Sequence, residues 1–388
     1  MRIVMVVGRS TGGIGTHVGQ LTAELRRLGH DVVIVTDPLT AQRFGWDEAL
    51  RWWPAGREWV RWLPRVRRLL AGADVVHAHG LKAGTLVACS LGVSSLGVSS
   101  LVGRRRRPRS VLSLHNSLPS SFSSSLPGSL HGAVSVRGTR ARVATGVERL
   151  VVRSADLVTG ASSDLVAVAV ALGARAVELA PVPSPRVPGL LDQPLASAGD
   201  RAALAATLLP RTDGSLPLVL TISRIAPQKS LDVLVAAAAA LRTPVVWAVV
   251  GDGDRVLLGR LEDAALGTGV RFVGPSKDVS TWLRAATVFV LPSVWEARAL
   301  VVQEAMAAGT PVVATDVGGL RDLVGAAGGL VPVARADALA RAVEDLLGDP
   351  ERRAELSGRG REQARTWPDG EATAVRWVSW YAPDAGSQ

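Results

Sequence analysis

The chain is 388 residues long, 47% hydrophobic and 20% charged, which excludes a disordered polyelectrolyte and allows a large buried core. Its formal net charge of +10 comes from arginine, because Lys82, Lys229 and Lys277 are its only lysines, and the single cysteine, Cys89, excludes an intrachain disulfide and a cysteine-based zinc site. The excess is confined to one half: residues 1–185 hold 23 Lys+Arg against 11 Asp+Glu, and residues 186–388 hold 21 against 23.

In chain order, Ile3–Val7 is a continuous apolar run, and His17–Leu28 then has helical spacing. Val32–Thr36, Asp74–His77 and Val111–Leu114 are further runs, with a helical stretch at Ala83–Leu101. Runs that are apolar on both faces predict strands of a parallel sheet covered by helices. Met1–Gly8 is too short for a signal-peptide core. Ala83–Gly103 is uncharged, but its serines and glycines make a poor membrane span, and its repeat of Leu91–Ser95 at Leu96–Ser100 predicts a helix extended by duplication. Pro119–Gly132 reads as a loop, Val136–Ser154 as helical and Asp156–Gly160 as a strand. Seven prolines between 181 and 217 mark an interdomain region. A second series follows: strand Leu218–Ser223, helix Ser230–Leu241, strand Val245–Val250, helix Arg255–Leu266, strands Val270–Val273 and Val288–Leu291, helix Leu300–Ala308 and strand Pro311–Ala314. Val375–Tyr381 gives a last amphipathic helix that is expected to cross back onto the first domain. The pattern is α/β, two Rossmann-like halves spanning 1–185 (with 372–388 packing back) and 186–371.

The block Leu291–Gly319 ends a strand at Pro292, carries Glu296 in a turn and begins a helix near Leu300. Backbone N–H groups at that helix start suit an anion such as a diphosphate. Glu296 and Glu304 can reach opposite ends of an extended ligand, and carboxylates accept sugar hydroxyls well. On spacing alone, a helix-start role for Glu296 and a solvated Glu304 is the simpler account. In Ser223–Asp232, Arg224 and Lys229 are cations that suit a diphosphate leaving group, or a solvated loop. Val249–Asp254 holds Asp252-x-Asp254, a short match to a metal-binding DxD pattern. Gly12, Gly13 and Gly15 form a glycine loop that allows close backbone approach to a ligand. With Gly19 and Asp37 this loop is also nearly a dinucleotide fingerprint, and it motivates an NAD(P)-dependent oxidoreductase as a rival. His77, His79 and His115 end two strands, with His77 and His79 expected to face opposite ways. No stretch has metal-ligand spacing.

The Pro292–Thr315 block resembles the Glu-x7-Glu motif of the retaining, GT-B-fold glycosyltransferases of family 4 (group 1). The Arg224–Ser230 stretch resembles that family's G-R-x-x-x-x-K-G, Val249–Gly253 its V-G-D-G turn, and Gly8–His17 its N-terminal glycine loop. The sequence departs at Ala297-Arg298-Ala299, where the family usually has Gly-Phe-Gly, and has serines at 223 and 230 in place of glycines. The resemblance implies two domains facing a central cleft, the first binding acceptor and the second a nucleotide-diphosphate sugar, UDP- or GDP-linked. It implies that Arg224, Lys229 and the backbone at Ala297, Arg298, Ala299 and Leu300 hold the diphosphate, Glu304 the ribose and Glu296 the sugar. Gly15 joins the donor site, His115 touches sugar hydroxyls, and Gly12, Gly13 and His79 serve the acceptor. Retention then follows a same-face path with no carboxylate nucleophile, no metal and no cofactor beyond the co-substrate. The acceptor expected is a lipid, a glycan or a small molecule, lipid-linked or anionic, and no nucleic acid partner is expected.

Two arginine clusters supply much of the positive charge, at residues 51–68 and 104–109, and five tryptophans (46, 52, 53, 59 and 62) fall in or beside the first. Together they suit an anionic membrane surface, and with it a cytoplasmic protein peripheral to the inner face, or a core helix with a charged outer side. A purely basic membrane- or nucleic-acid-binding protein is the non-enzymatic rival.

Overall fold

The computed structural model describes residues 1–10, 12–51, 59–92, 107–116, 139–209 and 216–382. The expected loop at Pro119–Gly132, the repeat at 93–100 and Arg104–Arg106 lie outside them. The chain forms two compact units, Met1–Val182 with Pro368–Gln388, and Pro183–Trp367.

The first unit alternates strands and helices: β1 (Arg2–Val7), α1 (Gly13–Arg27), β2 (Asp31–Thr36), α2 (Pro38–Phe44), β3 (Leu50–Arg51), α3 (Trp59–Leu70), β4 (Val75–His79), α4 (Leu81–Leu91), β5 (Arg109–Leu114), α5 (Thr139–Ser154), β6 (Leu157–Gly160), α6 (Ser163–Ala171) and β7 (Val177–Leu179). All strand pairs are parallel, in the order β3-β2-β1-β4-β5-β6-β7. The central strands are buried almost throughout, which is why their sequences are apolar without alternation.

The second unit opens with α7 (Val187–Leu191) and α8 (Ala198–Leu208). The proline-rich stretch is therefore not a bare connection. Pro188 stands in the first turn of α7, where its missing N–H costs nothing, and Ser197 and Asp200 form a reciprocal capping box on α8. Then follow β8 (Leu218–Ile222), α9 (Leu231–Ala239), β9 (Val246–Val250), α10 (Arg255–Ala264), β10 (Val270–Gly274), α11 (Val279–Ala285), β11 (Val288–Leu291), α12 (Leu300–Ala308), β12 (Val312–Thr315), α13 (Leu320–Val324), β13 (Gly329–Val331), α14 (Ala336–Gly348) and α15 (Pro350–Arg365). This sheet is also parallel, ordered β10-β9-β8-β11-β12-β13. Among the described residues no helix is long and apolar enough to cross a membrane.

The last helix, α16 (Gly370–Tyr381), belongs to the first unit and joins the core formed by β1, β2 and α1 through Ala374, Trp377 and Tyr381. The Tyr381 hydroxyl lies 2.7 Å from His77 Nδ1, and His77 Nε2 lies 2.7 Å from Ser113 Oγ. His77 and His79 do not face opposite ways. Residues two apart on a strand share a face, and their rings lie 4.0 Å apart between centroids.

Tyr381→Phe leaves the buried His77 nitrogen without its partner, so it is expected to destabilise the protein by about 1–2 kcal/mol. Urea unfolding with an unchanged slope and a lowered midpoint is the expected result.

Candidate functional site

In each sheet the strand order reverses between two neighbours, β1 and β4 in the first and β8 and β11 in the second. Connections leave such a pair on opposite sides, so the carboxyl ends stay open to a ligand. The residues singled out in the sequence gather at these two places.

In the second unit, the segment after β8 forms a short 3-10 turn, Pro227–Lys229, and the segment after β11 carries Ser293–Ala299. The two are tied together. Val294 N–H donates to Gln228 O at 2.9 Å, and Gln228 Nε2 donates to Trp295 O at 2.7 Å. The Lys229 ammonium pairs with Glu296 Oε1, which also accepts from Ser293 Oγ at 2.7 Å. Gly319 N–H donates to Glu296 O at 2.9 Å, and Gly318, at φ +48°, passes so close that a Cβ there would sit 2.2 Å from the same oxygen. Lys229 and Glu296, expected at separate parts of a donor, are thus one ion pair. Ser230 takes φ +46°, a conformation glycine adopts without strain, and its hydroxyl is buried with no partner. Arg224 is exposed beside this turn.

Glu304 lies about one turn into α12 and is buried. Its Oε1 accepts from Ser184 Oγ at 2.6 Å and from Arg186 at 3.1 Å. Burial pushes its carboxyl above the usual range, and these two partners oppose the shift. Ser184 and Arg186 were not singled out in the sequence. They lie about 120 residues from Glu304, and no local spacing connects them. Ala299 caps α12 without a side-chain hydrogen bond, and its carbonyl accepts from Val302 N–H and Gln303 N–H, so the N–H groups of Leu300 and Val301 are left for another acceptor. Ala297 and Ala299 are buried and Leu300 half-buried. Arg298 turns inward, its guanidinium 5.4 Å over the Trp367 ring, and burial lowers its pKa to about 10.

Two acidic motifs have structural work. Asp254 caps α10 by accepting from Val256 N–H and Leu257 N–H, leaving the DxD match without a free pair of carboxylates. Asp37 caps α2, accepting from Leu39 N–H, Thr40 N–H and the Thr40 hydroxyl. The dinucleotide reading therefore loses its ribose carboxylate to a helix cap. Gly251 and Gly253 lie where a Cβ would strike Ser223 O and Ile225 O, so the V-G-D-G turn seats the backbone that presents Arg224.

In the first unit, Gly12 caps α1 and Gly13 begins it. Gly15 is buried, and the Phe44 ring fills the place of its side chain. Ser10 N–H donates to Thr40 Oγ1, and Gly15 N–H to Ser10 Oγ, fixing the loop. His17 on α1, His79 at the end of β4 and His115 just after β5 come together although no local spacing predicted it. His79 Nδ1 lies 3.1 Å from His115 Nε2. Burial lowers the pKa of His17 to about 4 and of His115 to about 3, and holds His77 and His79 well below the usual histidine range.

Residues 12–185 match the glycosyl transferase 4-like domain family, and residues 216–349 match the glycosyl transferases group 1. The chain belongs to the group 1 glycosyltransferases. It is 38% identical over 184 residues to the D-inositol 3-phosphate glycosyltransferase of Thermobispora bispora, covering 42% of each. It is 35% identical over 157 residues to the lipopolysaccharide core biosynthesis glycosyltransferase LpsE of Rhizobium meliloti, covering 39% of this chain and 45% of that one. The chain thus spans under half the length of these curated relatives. Among solved structures it resembles sucrose-phosphate synthase from Thermosynechococcus elongatus, with a TM-score of 0.75 and 22% identity over 98% of both chains. It also resembles Anabaena HepE in complex with UDP-glucose, with a TM-score of 0.76 and 20% identity over 98% and 100% of the chains. The fold is the α/β GT-B type.

The neutral histidines make stability fall in acid. Unfolded histidine titrates near pH 6.5, while folded His17 and His115 take protons only near pH 4 and pH 3. Between these values the unfolded chain binds more protons, so each residue removes about 1.4 kcal/mol per pH unit as pH drops. Denaturant unfolding at pH 7, 6 and 5 is expected to show this loss, with a shallower slope in His115→Gln.

Proposed function

We propose that the chain is a retaining glycosyltransferase that moves a sugar from a nucleotide-diphosphate sugar to a lipid, glycan or small-molecule acceptor. The observation that carries this reading is the arrangement of Lys229, Glu296, Glu304 and the uncapped start of α12 at the carboxyl ends of β8 and β11. An incoming diphosphate offers Lys229 a stronger partner than Glu296, which frees the carboxylate for sugar hydroxyls. Arg224 and the N–H groups of Leu300 and Val301 add donors for the same phosphates. Glu304 is already held in place by Ser184 and Arg186 and takes the ribose. The leaving phosphate deprotonates the acceptor on the same face, so no protein nucleophile and no metal is required. In the first unit His115 serves sugar hydroxyls, and Gly12, Gly13 and His79 serve the acceptor. The GDP-mannose-dependent alpha-mannosyltransferase of Mycobacterium tuberculosis, 37% identical over 156 residues, and the UDP-glucose complex of HepE support a UDP- or GDP-linked donor.

Titration calorimetry with UDP-, GDP- and ADP-sugars is expected to show one binding nucleotide sugar, weakened at least about tenfold by Glu304→Ala. Binding of no nucleotide sugar overturns the reading, and unchanged affinity in the variant removes Glu304 from the site.

The basic first half fits a place at the inner face of an anionic membrane, where each exposed arginine contributes about 1 kcal/mol. Replacing Arg104–Arg107 with glutamine is expected to reduce sedimentation with phosphatidylserine vesicles. Equal sedimentation of both proteins leaves these arginines a solvated surface.

A further inference from the structure

We propose that His17, His79 and His115 form a binding site for one borderline divalent metal ion of the Zn²⁺ and Co²⁺ class. Each of the three offers a ring nitrogen, and the three nitrogens lie within 4.8 Å of one another. The ring centroids are 5.3, 5.6 and 5.8 Å apart. Imidazoles bound to one tetrahedral ion, at metal–nitrogen distances of about 2.0–2.1 Å, have centroids roughly 5 Å apart. Ligand nitrogens on such an ion lie roughly 3.3 Å apart, so a movement of up to about 1.5 Å in the widest pair closes the set on an ion.

The hydrogen bonding of the cluster is incomplete in a way that a metal would complete. Nε2 of His17 and Nε2 of His79 are both buried without a hydrogen-bond partner among the described residues. Buried unpaired nitrogens are costly and uncommon. His77, stacked beside His79, is different, because Tyr381 and Ser113 occupy both its nitrogens. It is a support for the cluster and not a ligand.

The chemistry of the donor set selects the ion. Imidazole suits Zn²⁺, Co²⁺, Ni²⁺ and Cu²⁺, whereas Mg²⁺, Ca²⁺ and Mn²⁺ prefer carboxylate oxygens, and none belongs to the cluster. The three rings stand on separate elements, α1, the end of β4 and the segment after β5, so the backbone holds them apart at fixed positions. Their exposures are 3%, 4% and 8% for His17, His79 and His115, so the cluster is shielded from bulk solvent. A neutral imidazole gives the ion a lone pair from one nitrogen and keeps its proton on the other, so binding needs no proton release. The rings are neutral before binding, as the low pKa values of His17 and His115 support. The cluster shares His79 and His115 with the proposed acceptor and sugar contacts, so an ion held here competes with those contacts, and metal binding is read without any nucleotide sugar.

The full chain, stripped with a chelator, is titrated with CoCl₂ and followed in the visible region. One equivalent of Co²⁺ is expected to give the intense absorption of a tetrahedral nitrogen site, and ZnCl₂ is expected to bleach it. His17→Ala and His79→Ala, each shown folded by circular dichroism, are expected to lose affinity at least about 100-fold, while His30→Ala keeps it. Absence of the tetrahedral spectrum in the wild-type chain overturns the proposal. So does a spectrum that survives in folded His17→Ala.

Discussion

The molecule depends on one geometric constraint, the reversal of strand order inside a parallel sheet. Where β1 meets β4 and β8 meets β11, successive crossovers depart to opposite faces. The sheet interior is committed to apolar packing, so polar and charged groups collect at the carboxyl ends, where the chain turns. The His17, His79 and His115 cluster and the Lys229–Glu296 pair are two products of that constraint in two unrelated sequences.

Electrostatically the two products differ. The second unit places opposite charges in contact, and each has hydrogen-bonding neighbours that hold it in place: Ser293 and Lys229 for Glu296, Ser184 and Arg186 for Glu304. Such charge-assisted hydrogen bonds hold each carboxylate in one place. The first unit instead buries four neutral rings, soft and polarisable groups. The chain's strong positive charge belongs to neither place. It lies in the sequence of the first half.

Most of the secondary structure was legible because each buried strand is a run such as Ile3–Val7 or Val288–Leu291, bounded by a turn. The Glu-x7-Glu block was legible for a further reason: strand end, turn and helix start are contiguous, so one stretch carries the whole geometry. Contacts across distant segments were not legible. Arg186 and Ser184 reach Glu304 only through the fold, and the three histidines meet only because β4 and β5 pair and α1 lies over β1. The proline-rich stretch marked the boundary between the units, which falls after Val182, but not the helices that follow it, where Pro188 stands at a helix start. The expectation for His77 and His79 failed on the two-residue strand period itself. Asp37 and Asp254 matched ligand motifs by spacing while serving as helix caps, a role the same short pattern fits equally well.

The return of α16 to the first unit has a consequence for how the chain is made. Ala374, Trp377 and Tyr381 complete a core whose other buried members lie before residue 160. At a synthesis rate of about 5–20 residues per second, the early part waits roughly 10–40 seconds for them while the whole second unit emerges. During that interval the face that α16 will cover, with His77 beneath it, is exposed on the nascent chain. The first unit to be synthesised is therefore the last to be finished.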